Sequence, residues 1–181
     1  MRLFAMAGSL RAASLNKMAI RAAVHLAPEG VEVVAYDDLG NLPLFNPDLD
    51  TEMPPAPVAA LRRQIGLCDG LLICTPEYAH GISGPMKNAL DWLVASIEFP
   101  GKPVALINTS PRANHAQDHL REVLNTMSAR LVDRSCIALP LLGRPSDAAA
   151  IEEDAELSAR LRTALADFAC AIREMADRDG V

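Results

Sequence analysis

Apolar residues follow two rhythms along this chain. Short continuous apolar runs, such as Gly70-Leu71-Leu72-Ile73-Cys74 and Pro103-Val104-Ala105-Leu106-Ile107, stand between stretches where apolar residues return every three or four positions. The first rhythm predicts strands buried on both faces; the second predicts amphipathic helices. Arg2–Ala7 is the first run, broken by Gly8, and Leu15, Met18, Ala19, Ala22 and Leu26 follow at helical spacing. Val31–Tyr36 is rich in valine and follows the turn residues Pro28-Glu29-Gly30. Val58–Leu67 predicts a short helix, Met86, Leu90, Leu93 and Ile97 mark one face of another, and a fourth is expected over about 114–128. Leu131–Leu139 holds a fifth strand, and Leu161, Leu165, Phe168, Ile172 and Met175 stripe the last helix.

Strand and helix thus alternate five times. That alternation predicts a parallel sheet with helices on both faces, joined by right-handed crossovers. Five strands and five helices fit an α/β three-layer sandwich with strand order 2-1-3-4-5, the flavodoxin-like arrangement. The whole chain, 1–181, reads as one such domain. Ligands in these sheets bind beyond the carboxyl ends of the strands, so the loops after strands one, three and four are where chemistry is expected.

Composition narrows the partners. A chain of 181 residues buries enough surface to hold a core without disulfides or metals. The net charge of -6 and the lack of a basic run weigh against nucleic acid. No apolar run approaches the roughly 20 residues of a membrane span, and the first residues lack the features of a signal peptide. A cytoplasmic location is therefore expected. Cys68, Cys74, Cys136 and Cys170 form no C-x-x-C pair and are expected to be reduced structural thiols. Residues 37–57 hold five of the thirteen prolines; so long an irregular segment is expected to cover a ligand site, meet a second subunit or pack on the surface. Trp92, off the 86-90-93-97 stripe, is expected at a subunit interface.

The loop after strand one reads Gly8-Ser9-Leu10-Arg11-Ala12-Ala13-Ser14-Leu15-Asn16 and runs straight into a helix. It is neither a dinucleotide G-x-G-x-x-G fingerprint nor a Walker A loop. Its chemistry still suits a phosphate. A helix N-terminus offers unpaired backbone N–H groups, Ser9, Ser14 and Asn16 add polar side chains, and Arg11 adds a fixed charge with a fork of donors. Ser14 also fits a plain N-cap. The hydroxylated loop, poor in glycine, favours a terminal phosphate over a pyrophosphate and so points to a mononucleotide.

The loop after strand three, Thr75-Pro76-Glu77-Tyr78-Ala79-His80-Gly81-Ile82-Ser83-Gly84-Pro85, offers backbone groups at 77–79 for the edge of a planar heterocycle and Tyr78 for its face. Pro85 suits the first turn of a helix capped by Ser83 or Gly84. Together, Gly8-Ser9-x-Arg11-x-x-Ser14-x-Asn16, Pro76-Glu77-Tyr78 and Gly84-Pro85-x-Lys87-Asn88-Ala89-x-Asp91-Trp92 resemble the NAD(P)H-dependent FMN reductase family, which includes quinone, azo-dye and chromate reductases. The resemblance runs from strand one through the last helix. It implies a flavodoxin-like fold, bound FMN, NADPH or NADH as co-substrate, a small-molecule electron acceptor, and a homodimer or homotetramer with flavin sites near subunit interfaces. It also implies that Ser9, Arg11, Ser14 and Asn16 hold the FMN phosphate and that Pro76, Glu77 and Tyr78 line the isoalloxazine ring. Leu15, Ala79 and Ser110 complete the expected cofactor-binding set. The chain departs from the family at Ala79, where relatives often have Asn. The strand-four loop, Asn108-Thr109-Ser110-Pro111-Arg112-Ala113-Asn114-His115, also lacks the usual glycines. There Ser110 can bond the flavin or its ribityl chain, and Arg112 can place a cation near the ring or bind a nicotinamide dinucleotide phosphate.

Other constellations are weaker. His115 and His119 share a helix face, but the zincin glutamate is missing and no metal is expected. No G-x-S-x-G elbow supports a hydrolase. Asp37-Asp38 reads as a solvated turn. The sequence therefore favours an FMN-dependent oxidoreductase in which the flavin carries the chemistry and no side chain is an obligatory catalyst. A flavodoxin-type electron carrier is the alternative, and a flavin-free α/β regulatory module is a more distant one.

Overall fold

The computed structural model describes residues 1–110, 112, 114–143 and 147–180. Pro111 and Ala113 of the strand-four loop therefore lie outside the described residues.

The elements run β1 (Arg2–Ala7), α1 (Leu15–His25), β2 (Glu32–Tyr36), α2 (Ala56–Gly66), β3 (Gly70–Cys74), β4 (Glu77–Tyr78), β5 (Gly81–Ile82), α3 (Gly84–Leu93), β6 (Pro103–Asn108), α4 (Asn114–Thr126), β7 (Arg130–Leu131), β8 (Ile137–Ala138), α5 (Ala148–Glu153) and α6 (Ala155–Asp179). The main sheet is parallel in the order β2-β1-β3-β6-β7, with β8 also on β6. This is the expected 2-1-3-4-5 arrangement, with one change. The fifth strand is two short pieces: Leu131 pairs with Val104 at the start of β6, and Ile137 with Ile107 near its end. Between them Asp133–Ser135 form a single 3₁₀ turn. The polar triplet Asp133-Arg134-Ser135 breaks the apolar run, and its charges turn outward to Arg121 and Glu174. The last helical region is likewise split, at Asp154, whose carboxylate caps the start of α6.

Strand alternation divides the interior in two. Leu3, Ala5 and Ala7 face the layer of α1 and α6, where Ala19 and Ile20 meet Leu161, Leu165, Phe168 and Ile172. Phe4, Met6, Leu71 and Ile73 face the layer of α2, α3 and α4.

Two expectations are corrected in that second layer. Trp92 does not face another subunit. It is fully buried, its Nε1 donates to Pro43 O at 2.8 Å, and Phe45 meets its ring edge-on at 5.1 Å. One residue short of Leu93, it points not at the sheet but at segment 37–57. That segment is a packed surface layer clipped to α3: Asn88 Nδ2 donates to Pro43 O, and the Phe45 N–H donates to Asn88 Oδ1. The predicted stripe also stops short. α3 ends at Leu93, where Arg62 occupies the Trp92 carbonyl with two N–H bonds, and Ile97 is left 91% exposed.

Candidate active site

The carboxyl ends of β1, β3 and β6 open onto a cleft of about 300 Å³. Ser9, Arg11, Ala13, Ser14, Leu15 and Asn16 form one wall, Thr75–Tyr78 the floor, and Asn108–Ser110 with Arg112 the other wall. Segment 37–57 contributes no residue to it.

The floor and the first wall are fastened together at Gly8. Its N–H extends the ladder to Cys74 O at 2.8 Å, and its carbonyl accepts the Ser83 hydroxyl at 2.6 Å. Thr75 and Ser83 hydroxyls lie 3.1 Å apart. A Cβ at position 8 would overlap the Thr75 hydroxyl and come within 2.8 Å of Ser83 Oγ. Glycine is therefore required by close approach of two loops.

The first wall has the donors of an anion site. Ser14 is the N-cap of α1, in extended conformation, and its Oγ accepts the Lys17 N–H only at 3.5 Å, a long bond. Ser9 Oγ accepts the Arg11 N–H at 3.4 Å. The Arg11 side chain is exposed at the cleft and makes no ion pair among the described residues. Asn16 is committed differently from what its sequence position suggests. It is buried, and its Oδ1 accepts both the Cys74 thiol at 3.1 Å and the Thr109 hydroxyl at 3.0 Å. The side chain thus ties α1 to the ends of β3 and β6, leaving only its NH₂ group for a ligand. Burial pushes the Cys74 thiol well above its usual range, so it acts as a donor and not as a nucleophile.

Beyond the floor the chain folds into a small hairpin. β4 and β5 pair antiparallel, Glu77 with Ile82 and Tyr78 with Gly81. The two turn residues, Ala79 and His80, have φ of 49° and 59°, the left-handed pair that a tight hairpin demands. Tyr78 stays 56% exposed on the cleft's rim. Glu77 Oε2 accepts the Ala116 N–H at 2.9 Å, near the start of α4, where a carboxylate meets the positive end of the helix. The His80 ring stacks on His115 at 4.4 Å between centroids. Among the described residues no group of three His, Cys, Asp or Glu can hold a metal ion.

Of the ten residues expected around a cofactor, nine line this cleft; Ala79 sits at the hairpin tip instead. Sequence reading missed Thr75, Thr109, Asn108 and Ala13. Thr75 and Thr109 each directly follow a buried strand, a position that could have flagged them. The capping role of Glu77 had no local signal, since its partner lies 39 positions away.

Residues 1–141 match the family model described as NADPH-dependent FMN reductase. The chain is 40% identical over 134 residues to a quinone reductase of Escherichia coli (strain K12), covering 70% of this chain and 71% of that one. It is 43% identical over 122 residues to 2-hydroxy-1,4-benzoquinone reductase of Burkholderia sp, covering 64% and 66%. Among solved structures it is similar to FerB, a flavoenzyme NAD(P)H:(acceptor) oxidoreductase from Paracoccus denitrificans, with a TM-score of 0.73, 28% identity, and 96% of this chain and 97% of that one covered.

Proposed function

The chain belongs to the NADPH-dependent FMN reductase family, and on that premise we propose that it is an FMN-dependent NAD(P)H oxidoreductase passing electrons to a quinone-like small acceptor. The observation that carries the reading is the chemical division of one cleft. Its first wall is built for an anion and its floor for a plane. Ser9, Ser14, the α1 N-terminus and an Arg11 without an ion-pair partner among the described residues suit a phosphate monoester. Each charge-assisted bond there contributes about 1.5–3 kcal/mol. Pro76 and Tyr78 offer apolar surface to a ring system, and the donor set as a whole fits FMN.

FMN supplies, when bound, the two-electron chemistry between a nicotinamide and a quinone. The chain's own residues bind and orient. Ser9, Arg11 and Ser14 hold the phosphate, with the Asn16 NH₂ group and Leu15 beside it. Pro76, Glu77 and Tyr78 flank the ring. Ser110, with its hydroxyl on the opposite wall, bonds the ribityl chain or ring edge. Ala79 acts through the hairpin turn, keeping backbone groups of 77–78 at the floor. No side-chain nucleophile is required.

The reading takes 1–181 as one domain, since α6 completes the core over the same sheet that carries the cleft. It takes the active form as a homodimer or homotetramer, supported by exposed Ile97, Met53, Leu44 and Val94 on the α2–α3 side. It places the protein in the cytoplasm; no described helix is long and apolar enough to cross a membrane.

The test is a visible absorption spectrum of purified protein after FMN addition and removal of unbound ligand, followed by NADPH oxidation with a benzoquinone. Retained flavin and quinone-dependent turnover are expected, at a mass by light scattering of two or four chains. Retained flavin without any NADPH or NADH oxidation would instead establish a carrier.

A further inference from the structure

The cleft carries two arginines, presented by the same local device. In Ser9-Leu10-Arg11, after β1, the serine Oγ accepts the N–H of the arginine two residues on, at 3.4 Å. In Ser110-Pro111-Arg112, after β6, Ser110 Oγ accepts the Arg112 N–H at 3.3 Å. β1 and β6 flank β3, so Arg11 and Arg112 stand on opposite sides of the Pro76–Tyr78 floor. Both arginines line the cleft, and neither guanidinium has an ion-pair partner among the described residues. Glu77 is the one carboxylate among the described lining residues, and it is engaged by the Ala116 N–H. Two uncompensated cations in so small a space favour ligands with two anionic groups.

FMN has a single phosphate, and the Arg11 side adds the N-terminus of α1 and two buried serines. We propose that Arg112, with its N–H held by Ser110, forms a second anion site, which binds a phosphate group of the nicotinamide co-substrate. This inference rests on the FMN reading. The two sites differ in strength. At the Arg112 side the neighbouring helix, α4, already has Glu77 on its amino end, which reduces its pull on a further anion. The weaker site suits a ligand that must leave at every turnover; the stronger one suits a resident cofactor.

The experiment uses FMN-loaded wild type, Arg112→Ala and Arg112→Lys. Calorimetry measures binding of 2′,5′-ADP and of 5′-AMP, and absorbance measures FMN content. Arg112→Ala is expected to weaken 2′,5′-ADP about tenfold and to raise the KM for NADPH by a similar factor, with Arg112→Lys between, and with FMN content at the wild-type level. If 5′-AMP weakens equally, the phosphate read is the one on the 5′ side; if only 2′,5′-ADP weakens, it is the 2′-phosphate. Both results support a second anion site. Unchanged 2′,5′-ADP binding, or loss of FMN from Arg112→Ala, overturns it. A wild type that takes up no FMN sinks the proposed function instead; 2′,5′-ADP binding by that apo chain, lost in Arg112→Ala, would still carry the second site.

Discussion

The two ends of the cleft are built to opposite standards of rigidity. At the first wall, Ser9, Ser14 and Asn16 are buried, and Asn16 is pinned by donors from two different strands. At the hairpin, Tyr78, Ala79 and His80 are exposed, and two non-glycine residues sit in the left-handed region. The first wall is fixed by the sheet itself, because its bonds reach back to Cys74 and Thr109 at the strand ends. The hairpin tip has less behind it: a two-pair ladder, one ring stack and one carboxylate-to-helix bond, with Ile82 alone packing from the hairpin onto the core. A ligand that stays should be gripped where the frame cannot move. One that exchanges should enter where the local structure has little stability of its own.

Gly8 tests the rigid end hardest. Gly8→Val must push apart Thr75 and Ser83, which lock the strand-one and strand-three loops. A loss on the order of 3 kcal/mol is expected from such overpacking, with a melting temperature lower by about 6–12 °C for a chain of this size. Thermal unfolding followed by circular dichroism reads it; a wild-type melting curve would mean the two loops are not locked in solution. Asn16→Ala comes next. It strands the Thr109 hydroxyl and the Cys74 thiol, at a cost of about 1–3 kcal/mol, and it loosens the start of α1. Retained FMN after desalting should fall along with stability. If stability falls while FMN is held as tightly as before, the rigidity of this wall has no bearing on cofactor retention.

Much of this architecture was legible in the pattern of apolar residues. Continuous runs such as 70–74 and 103–107, alternating with helical stretches, call for a parallel sheet covered on both faces, and the crossover rule with the flavodoxin-like pattern then supplied the strand order. The fifth strand misled because Leu131 and Ile137 read as one run, although Asp133 and Arg134 between them turn outward to salt-bridge partners. Trp92 misled for a different reason. Periodicity shows which face of a helix meets the sheet, but not that a distant loop will cover the adjoining face, as Pro43 and Phe45 do. At the cleft, local chemistry marked Ser9, Arg11 and Ser14 because a helix start needs polar neighbours. Thr109 has a local mark in following a buried strand, but its bond to Asn16 and that of Glu77 to the start of α4 join segments far apart in the chain, which no local spacing encodes.

The smallest expected effect concerns the hairpin. Ala79 holds φ of 49°, where an ordinary L-residue is disfavoured by about 1–2 kcal/mol, whereas Asn visits the region readily through local hydrogen bonds. Ala79→Asn should therefore stabilise the hairpin turn by about 0.5–1 kcal/mol. Glycine would relieve the same strain but add freedom to the unfolded chain, so Asn is the cleaner probe. Global melting should rise by only about 1–4 °C. Local opening should respond more directly. Amide exchange at Tyr78 and Gly81, the pair next to the turn, should slow several-fold, while exchange in the β1–β3 ladder stays as it was. Equal protection of both regions in the wild type would show that the hairpin is as firm as the sheet, and the division between a gripping end and an exchanging end would fail with it.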